Sequence, residues 1–181
     1  MITAEQAWDV YRRAECLYTR AQIDDAIDEM AHKIALVMKD KNPVVIAVMN
    51  GGLIPSGLLL PKLDFPLQVD YLHATRYKNN IGGELSWTVK PQNSLQGRTV
   101  LIVDDILDEG MTLQYILEFC QQQGAAELYS CVLVEKKHQR KNGCKHADFV
   151  GLEVEDIYVF GAGMDYKGYL RNLPGIYAID E

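Results

Sequence analysis

The chain has 181 residues, 48% of them hydrophobic and 24% charged, with 14 Gly and 6 Pro, proportions that exclude a disordered or collagen-like polymer. Such a length encloses one sizeable core and leaves little room for a second unit, so a single domain over residues 1–181 is expected, with any ligand site built inside it. The 18 Lys+Arg against 25 Asp+Glu give a formal charge of −7, which repels polyphosphate backbones and argues against a nucleic-acid partner.

The opening MITAEQAWDVYRR lacks the basic-then-apolar order of a signal peptide, and nowhere do about 18 apolar residues run together. A cytoplasmic chain with no membrane partner is expected. Thr3 and Gln6 have capping-box spacing, and Ala7, Val10, Tyr11, Ala14 and Leu17 recur with helical period, which predicts a helix over 4–18. A second helical stripe runs through Ile23, Ile27, Met30, Ile34, Val37 and Met38 and is stopped by Lys41, Asn42 and Pro43. Residues 44–49 (VVIAVM) predict a buried strand, Asn50-Gly51-Gly52 a turn, and 53–60 a short helix before Pro61. Another strand is expected over 67–72. Residues 74–98 are polar and turn-rich, a connection long enough to be either a mobile lid or a hairpin arm.

The clearest unit starts with 99–103 (TVLIV), a buried strand, passes through DDILDEG at 104–110, and enters a helix with Leu113, Ile116, Leu117 and Cys120 inward. Gly124 ends that helix, and 128–134 read as the next strand. Strand, loop, helix and strand form a βαβ unit, whose right-handed crossover demands a parallel sheet, so the fold class is α/β. Residues 135–181 carry short strands and turns. The cysteines include no CxxC pair, and Cys16, Cys120 and Cys131 lie in apolar-patterned segments where buried free thiols are expected. Neither a disulfide framework nor a zinc site is expected.

Open parallel sheets bind ligands beyond the carboxyl ends of their strands. There the sequence gathers Asp104, Asp105, Asp108 and Glu109 ahead of Gly110. Repulsion within such a group is relieved by a metal ion, by hydroxyl donors, or by a raised pKa on one member. Ionised carboxylates only accept hydrogen bonds, so adjacent Asp residues suit the two hydroxyls of a ribose. Gly110, Met111 and Thr112 then open a helix whose free N–H groups and dipole suit a phosphate. A Walker loop is excluded because its Gly-x-x-x-x-Gly-Lys-Ser/Thr order is absent. The competing reading of these residues is an acidic helix-capping loop.

VLIVDDILDEGMT at 100–112 resembles the phosphoribosyl-pyrophosphate loop of the type I phosphoribosyltransferases. VMNGG at 48–52, VLVEKK at 132–137 and DFVGLEVEDIYVFGAGMDYKGYLRNLP at 148–174 extend the resemblance to the hypoxanthine-guanine branch. It implies a central parallel sheet flanked by helices, a small hood built from terminal segments, and a purine-binding hood segment over about 135–181. The implied activity transfers 5-phosphoribose from 5-phosphoribosyl 1-pyrophosphate (PRPP) to hypoxanthine or guanine, giving IMP or GMP and pyrophosphate, with Mg2+ as cofactor.

By that resemblance Asp104 and Asp105 hold the ribose hydroxyls. The 5′-phosphate falls to the backbone of Asp108, Glu109, Gly110, Met111 and Thr112 and to the Thr112 hydroxyl, while Asp108 also serves as the base that takes the purine proton. Asn50, Gly51, Gly52 and Arg171 would meet the pyrophosphate. Asp104, Asp105 and Asp165 would be the metal carboxylates. Glu109 and Met111 depart from the common pattern, and Glu109 has to turn away from phosphate. Lys136, with Lys137 as the next choice, would donate to the 6-oxo oxygen, which adenine lacks. Tyr158 would stack on the base, with Val159 and Asp165 near its edge, and Arg76 and Tyr77 would begin a mobile loop over 74–98. Gly161 and Gly163 imitate a dinucleotide fingerprint, but Tyr166 takes the place of its third Gly.

Two alternatives stand beside this reading. One is a preference for xanthine. The other is a PRPP-sensing regulator that binds nucleic acid, for which Lys136, Lys137, Arg140, Lys141 and Lys145 are the best support. The small-molecule partners would be a 6-oxopurine and PRPP, and a homodimer or homotetramer is expected, with the 4–39 helices as a possible contact.

Overall fold

A computed structural model describes residues 2–76 and 85–179, so Tyr77 lies outside the described residues. The chain opens with helix α1 (Ala4–Arg13), strand β1 (Glu15–Tyr18) and helix α2 (Arg20–Met38). The expected helix over 4–18 therefore ends early. Ala14 is already extended at ψ 144°, and β1 pairs antiparallel with the C-terminal strand, Cys16 opposite Tyr177. A second capping box restarts the helix, with Thr19 and Gln22 satisfying each other's backbone donors. Leu17 fits a helical or an extended pattern equally, which is why periodicity alone ran through the break. Cys16, expected inside, is exposed in consequence.

Strand β2 (Val44–Met49), helix α3 (Leu53–Leu59) and a 3-10 turn (Leu60–Lys62) come next. Then follow β3 (Gln68–Arg76), β4 (Leu85–Val89), β5 (Thr99–Leu107), α4 (Met111–Gln122), β6 (Glu127–Lys137) and β7 (Phe149–Glu155). These strands form one sheet in the order β4-β3-β2-β5-β6-β7, parallel throughout except for the β3–β4 pair. Residues 74–98 thus contain a hairpin arm in place of an unbroken loop. Trp87 anchors the arm, packing on Phe119 at 4.4 Å between rings, and Leu95 is buried. Beyond it, Asp70 accepts the backbone N–H groups of Gln92 and Asn93 at 2.8 and 2.7 Å, tying the return segment to β3.

Both faces of the central strands are covered, which accounts for their unbroken apolar runs. On one face α2 and α3 pack over Val45, Leu101, Val103, Cys131 and Leu133, and on the other α4 sets Leu113, Ile116 and Cys120 against Val44, Ile46, Val100 and Ile102. Burying each large aliphatic side chain contributes about 1.5–3 kcal/mol before chain entropy is charged. Val37, expected in the α2 stripe, sits at its margin and is exposed. Strand β5 runs four residues past the expected end, because Ile106 and Leu107 continue the ladder opposite Val134 and Glu135. Asp104 and Asp105 are therefore strand residues with fixed directions, one on each side of the pleat.

Strands β8 (Tyr158–Phe160) and β9 (Ile176–Ile179) join β1 in a second sheet of order β1-β9-β8, the small hood of terminal segments. Phe160 is fully buried there and stacks on Tyr177, which meets Tyr11 of α1 edge-on at 5.0 Å. Among the described residues no helix is long and apolar enough to cross a membrane.

Candidate active site

At the carboxyl end of β5 a cavity of about 210 Å3 is lined by Asp104, Asp105, Asp108, Glu109, Gly110 and Thr112, among others. Its floor is the start of α4. Gly110, at φ +81°, turns the chain into that helix and makes no side-chain cap, so no N-cap side chain takes the first N–H groups of α4, which begins at the cavity wall. A Cβ on Gly110 would strike the carbonyl of Cys144. Segment 142–144 closes over this turn, with Asn142 and Gly143 donating N–H to Glu109 O at 3.1 Å and Cys144 donating to Gly110 O at 3.2 Å. Glu109 turns its carboxylate toward Arg140, 3.8 Å away.

Asp104 and Asp105 are neighbouring carboxyl groups in a poorly hydrated place. Burial, and then the adjacent Asp105 charge, push the Asp104 carboxyl well above the ordinary carboxylate range. Burial raises Asp105 as well, against the opposing pull of Asp104 and Arg171. The turn after β2 presses on this pair: a Cβ on Gly51 would collide with the Asp105 carboxylate, and one on Gly52 with the carbonyl of Val103. Gly163 closes in from the hood, where a Cβ would strike Gly51 O. Arg171 joins the parts, donating to Gly163 O at 2.7 Å and to Asp165 at 2.5 Å, with Asp105 at 3.6 Å.

A second cavity of about 170 Å3 adjoins the first and is lined by Asp105, Ile106, Asp108, Lys136, Tyr158, Val159, Met164 and Asp165. Three separate stretches of chain meet in it. Strand alternation settles which lysine faces inward: Lys136 reaches Asp108 Oδ2 at 3.3 Å, whereas Lys137 points the other way and pairs with Glu153. Tyr158 anchors its hydroxyl on Asp165 O at 3.2 Å. Arg76 ends β3 and its side chain lies outside the described residues, as does Tyr77, so neither is placed against this site.

Sequence reasoning missed His138. Its side chain is 4% exposed, and its Nε2 lies 2.7 Å from Asp108 Oδ1. The available signal was its position two residues beyond Lys136 in an extended run, which puts both side chains on one side.

The profile of the phosphoribosyl transferase domain matches residues 15–168. The chain belongs to the phosphoribosyl transferase family. It is 34% identical over 166 residues to the hypoxanthine-guanine-xanthine phosphoribosyltransferase of Tritrichomonas foetus, covering 91% of each chain. To the hypoxanthine-guanine phosphoribosyltransferase of Bacillus subtilis it is 33% identical, over 88% of this chain and 89% of that one. The hypoxanthine phosphoribosyltransferase of Trypanosoma cruzi, solved in complex with the product IMP, superposes with a TM-score of 0.86 at 28% identity, over 93% and 94% of the two chains. The architecture is the type I phosphoribosyltransferase fold.

For a phosphoribosyltransferase the acidic residues suit a hard divalent cation, being oxygen donors whose mutual repulsion at Asp104 and Asp105 a positive ion relieves. Asp104, Asp105 and Asp165 form no compact ligand cage. Among the described residues the group whose possible ligand atoms all lie within 4.8 Å is Asp108, His138 and Asp156, and Lys136 and Arg140 already occupy those carboxylates. A magnesium ion takes one or two carboxylates and fills its shell from substrate oxygens and water, so it would need no such cage.

Proposed function

We propose that the chain is a purine-salvage phosphoribosyltransferase that converts hypoxanthine or guanine plus PRPP to IMP or GMP plus pyrophosphate. The observation that carries this is the second cavity, where a carboxylate (Asp108), an ammonium (Lys136), an aromatic ring (Tyr158) and a buried backbone edge (Val159) converge beside the acid and glycine cradle. Lys136 has only hydrogens to offer, so a 6-oxo oxygen pairs with it and the 6-amino group of adenine does not.

In this reading Asp104 and Asp105 accept from the ribose hydroxyls, and the α4 N-terminus with Thr112 receives the 5′-phosphate. Asn50, Gly51 and Gly52 offer backbone at close range to the pyrophosphate, toward which Arg171 extends its charge. Two Mg2+ ions, one at Asp104 and Asp105 and a second at Asp165, would supply charge neutralisation on the leaving pyrophosphate. As N9 bonds to C1 and the bond from C1 to pyrophosphate oxygen breaks, Asp108 Oδ2 takes the imidazole-ring proton of the purine. Hood residues 158–165 border the second cavity and exclude water, which would otherwise capture the oxocarbenium-like sugar.

Xanthine is a second candidate base, favoured by the name of the Tritrichomonas foetus relative. A nucleic-acid-binding regulator is weakened by the basic run itself: Lys136, Lys137, Arg140 and Lys141 are all paired with carboxylates, leaving little charge for a phosphate backbone. The molecule acts as a homodimer or homotetramer. Purified protein incubated with magnesium and PRPP should turn over hypoxanthine and guanine, with xanthine measured alongside and adenine left unused. No nucleotide from any 6-oxopurine, or AMP as the main product, would defeat this assignment.

A further inference from the structure

We infer that His138 is a positioning residue for Asp108, fixing one carboxylate oxygen so that the other faces the purine. The inference rests on the proposed base role of Asp108. The geometry assigns the tautomer. Arg140 donates its backbone N–H to His138 Nδ1 at 3.1 Å, so Nδ1 is an acceptor and the ring proton sits on Nε2, which donates to Asp108 Oδ1 at 2.7 Å. Arg140 is itself held by two bonds to Asp156, at 3.0 and 2.5 Å, so the imidazole is aimed from a braced segment.

Asp108 is 39% exposed at the lip of two cavities, where a carboxylate with no fixed partner would sample several rotamers. Lys136 also holds it, at 3.3 Å on Oδ2. A purine whose 6-oxo oxygen engages Lys136 draws that ammonium away and leaves Oδ2 open for the ring proton. His138 Nε2 then remains the close donor on Oδ1, since the Arg140 guanidinium stands off at 3.8 Å. The imidazole does not relay the proton onward, because Nε2 already carries one and Nδ1 faces an N–H. Its contribution is orientation, the kind of effect for which a small misplacement costs a large factor in rate.

The test uses single-turnover kinetics, which isolate the chemical step from product release. His138→Ala should slow that step by about tenfold to a hundredfold while the PRPP and hypoxanthine affinities move by less than about threefold. His138→Gln places an amide donor near the Nε2 position and should recover the rate to within about threefold. In an Asp108→Asn background, removing His138 should have no further effect, since a positioning residue acts only through its client. Equal or faster chemistry in His138→Ala, a His138→Gln as slow as an Ala variant, or additive losses in the double variant would each overturn the inference. Should His138→Ala fail to fold, the His138→Gln rate still decides. An unaltered chain that makes no nucleotide from any 6-oxopurine instead overturns the functional reading beneath it.

Discussion

Asp104 sits where burial and the Asp105 charge both disfavour its ionised form, a penalty that the fold tolerates and that a bound donor relieves. Replacing it by Asn keeps an oxygen to accept the Asp105 N–H, now bonded at 2.9 Å, and removes the charge. Asp104→Asn should therefore stabilise the ligand-free protein by about 1–2 kcal/mol, raising Tm by about 2–6 °C at neutral pH, while PRPP-dependent turnover falls. The sign of the pH dependence follows from the raised folded value. On acidification the native state takes up the Asp104 proton before the unfolded chain does, so the wild type gains stability and the advantage of the variant fades. Thermal melts of both proteins across pH, with and without magnesium and PRPP, would show it; a variant that melts below the wild type at neutral pH contradicts this account. Adding the donor should favour the wild type, because only it retains the full set of acceptors.

The segment that follows β6 works as a brace between elements distant in sequence. Its Lys141, 8% exposed, enters the sheet end to meet Glu135, 9% exposed, at 2.7 Å, while residues 142–144 bond to the turn before α4. Burial alone would raise the Glu135 carboxyl, but the bonds from Lys141 and His146 prevail and hold it below its ordinary value. Lys141→Met leaves this buried carboxylate with His146 as its side-chain partner and should cost about 1–3 kcal/mol, with most of it regained in a Glu135→Leu/Lys141→Met pair. Because Glu135 is lowered on folding, its contribution is present above the unfolded glutamate range and is lost as pH falls through the folded value. Urea unfolding at neutral and at acid pH checks both statements: a Lys141→Met midpoint equal to wild type at neutral pH would refute the brace. None of this was legible in the sequence, where Lys141 and Lys145 read as part of a basic run. The acidic strand end, the glycine turn and the βαβ unit were legible because each writes a local pattern of burial period or chain reversal. The brace, the β1–β9 pairing and His138 on Asp108 were not, since each is a meeting of segments that carry no mark of one another. The hairpin arm was half legible, its alternation diluted by polar neighbours.

At the scale of the whole molecule the two helical layers are unequal. Helices α2 and α3 cover the sheet face that carries Val45 and Ala47 on β2, and register places Val69 and Tyr71 of β3 beside those two residues on the same face. There the cover stops. Val69 is 54% and Tyr71 44% exposed, and with Leu53 of α3, 53% exposed, they border a cavity of about 610 Å3 that shares no lining residue with the acidic site. A contiguous apolar face at the margin of a sheet is where a second copy gains most by docking. This shifts the proposed subunit contact from the 4–39 helices, whose exposed Trp8 and Leu36 lie on separate elements, to the α3–β3 margin. Helix α3 begins directly after Asn50, Gly51 and Gly52, so docking there would also steady the turn assigned to pyrophosphate. A Val69→Lys/Tyr71→Lys double variant should fall to the monomer mass in multi-angle light scattering at concentrations where the wild type is a dimer or tetramer, and should lose PRPP affinity with its fold intact by circular dichroism. If the double variant keeps the wild-type mass, association runs through another face; if the wild type is itself monomeric, the uncovered margin serves no second copy.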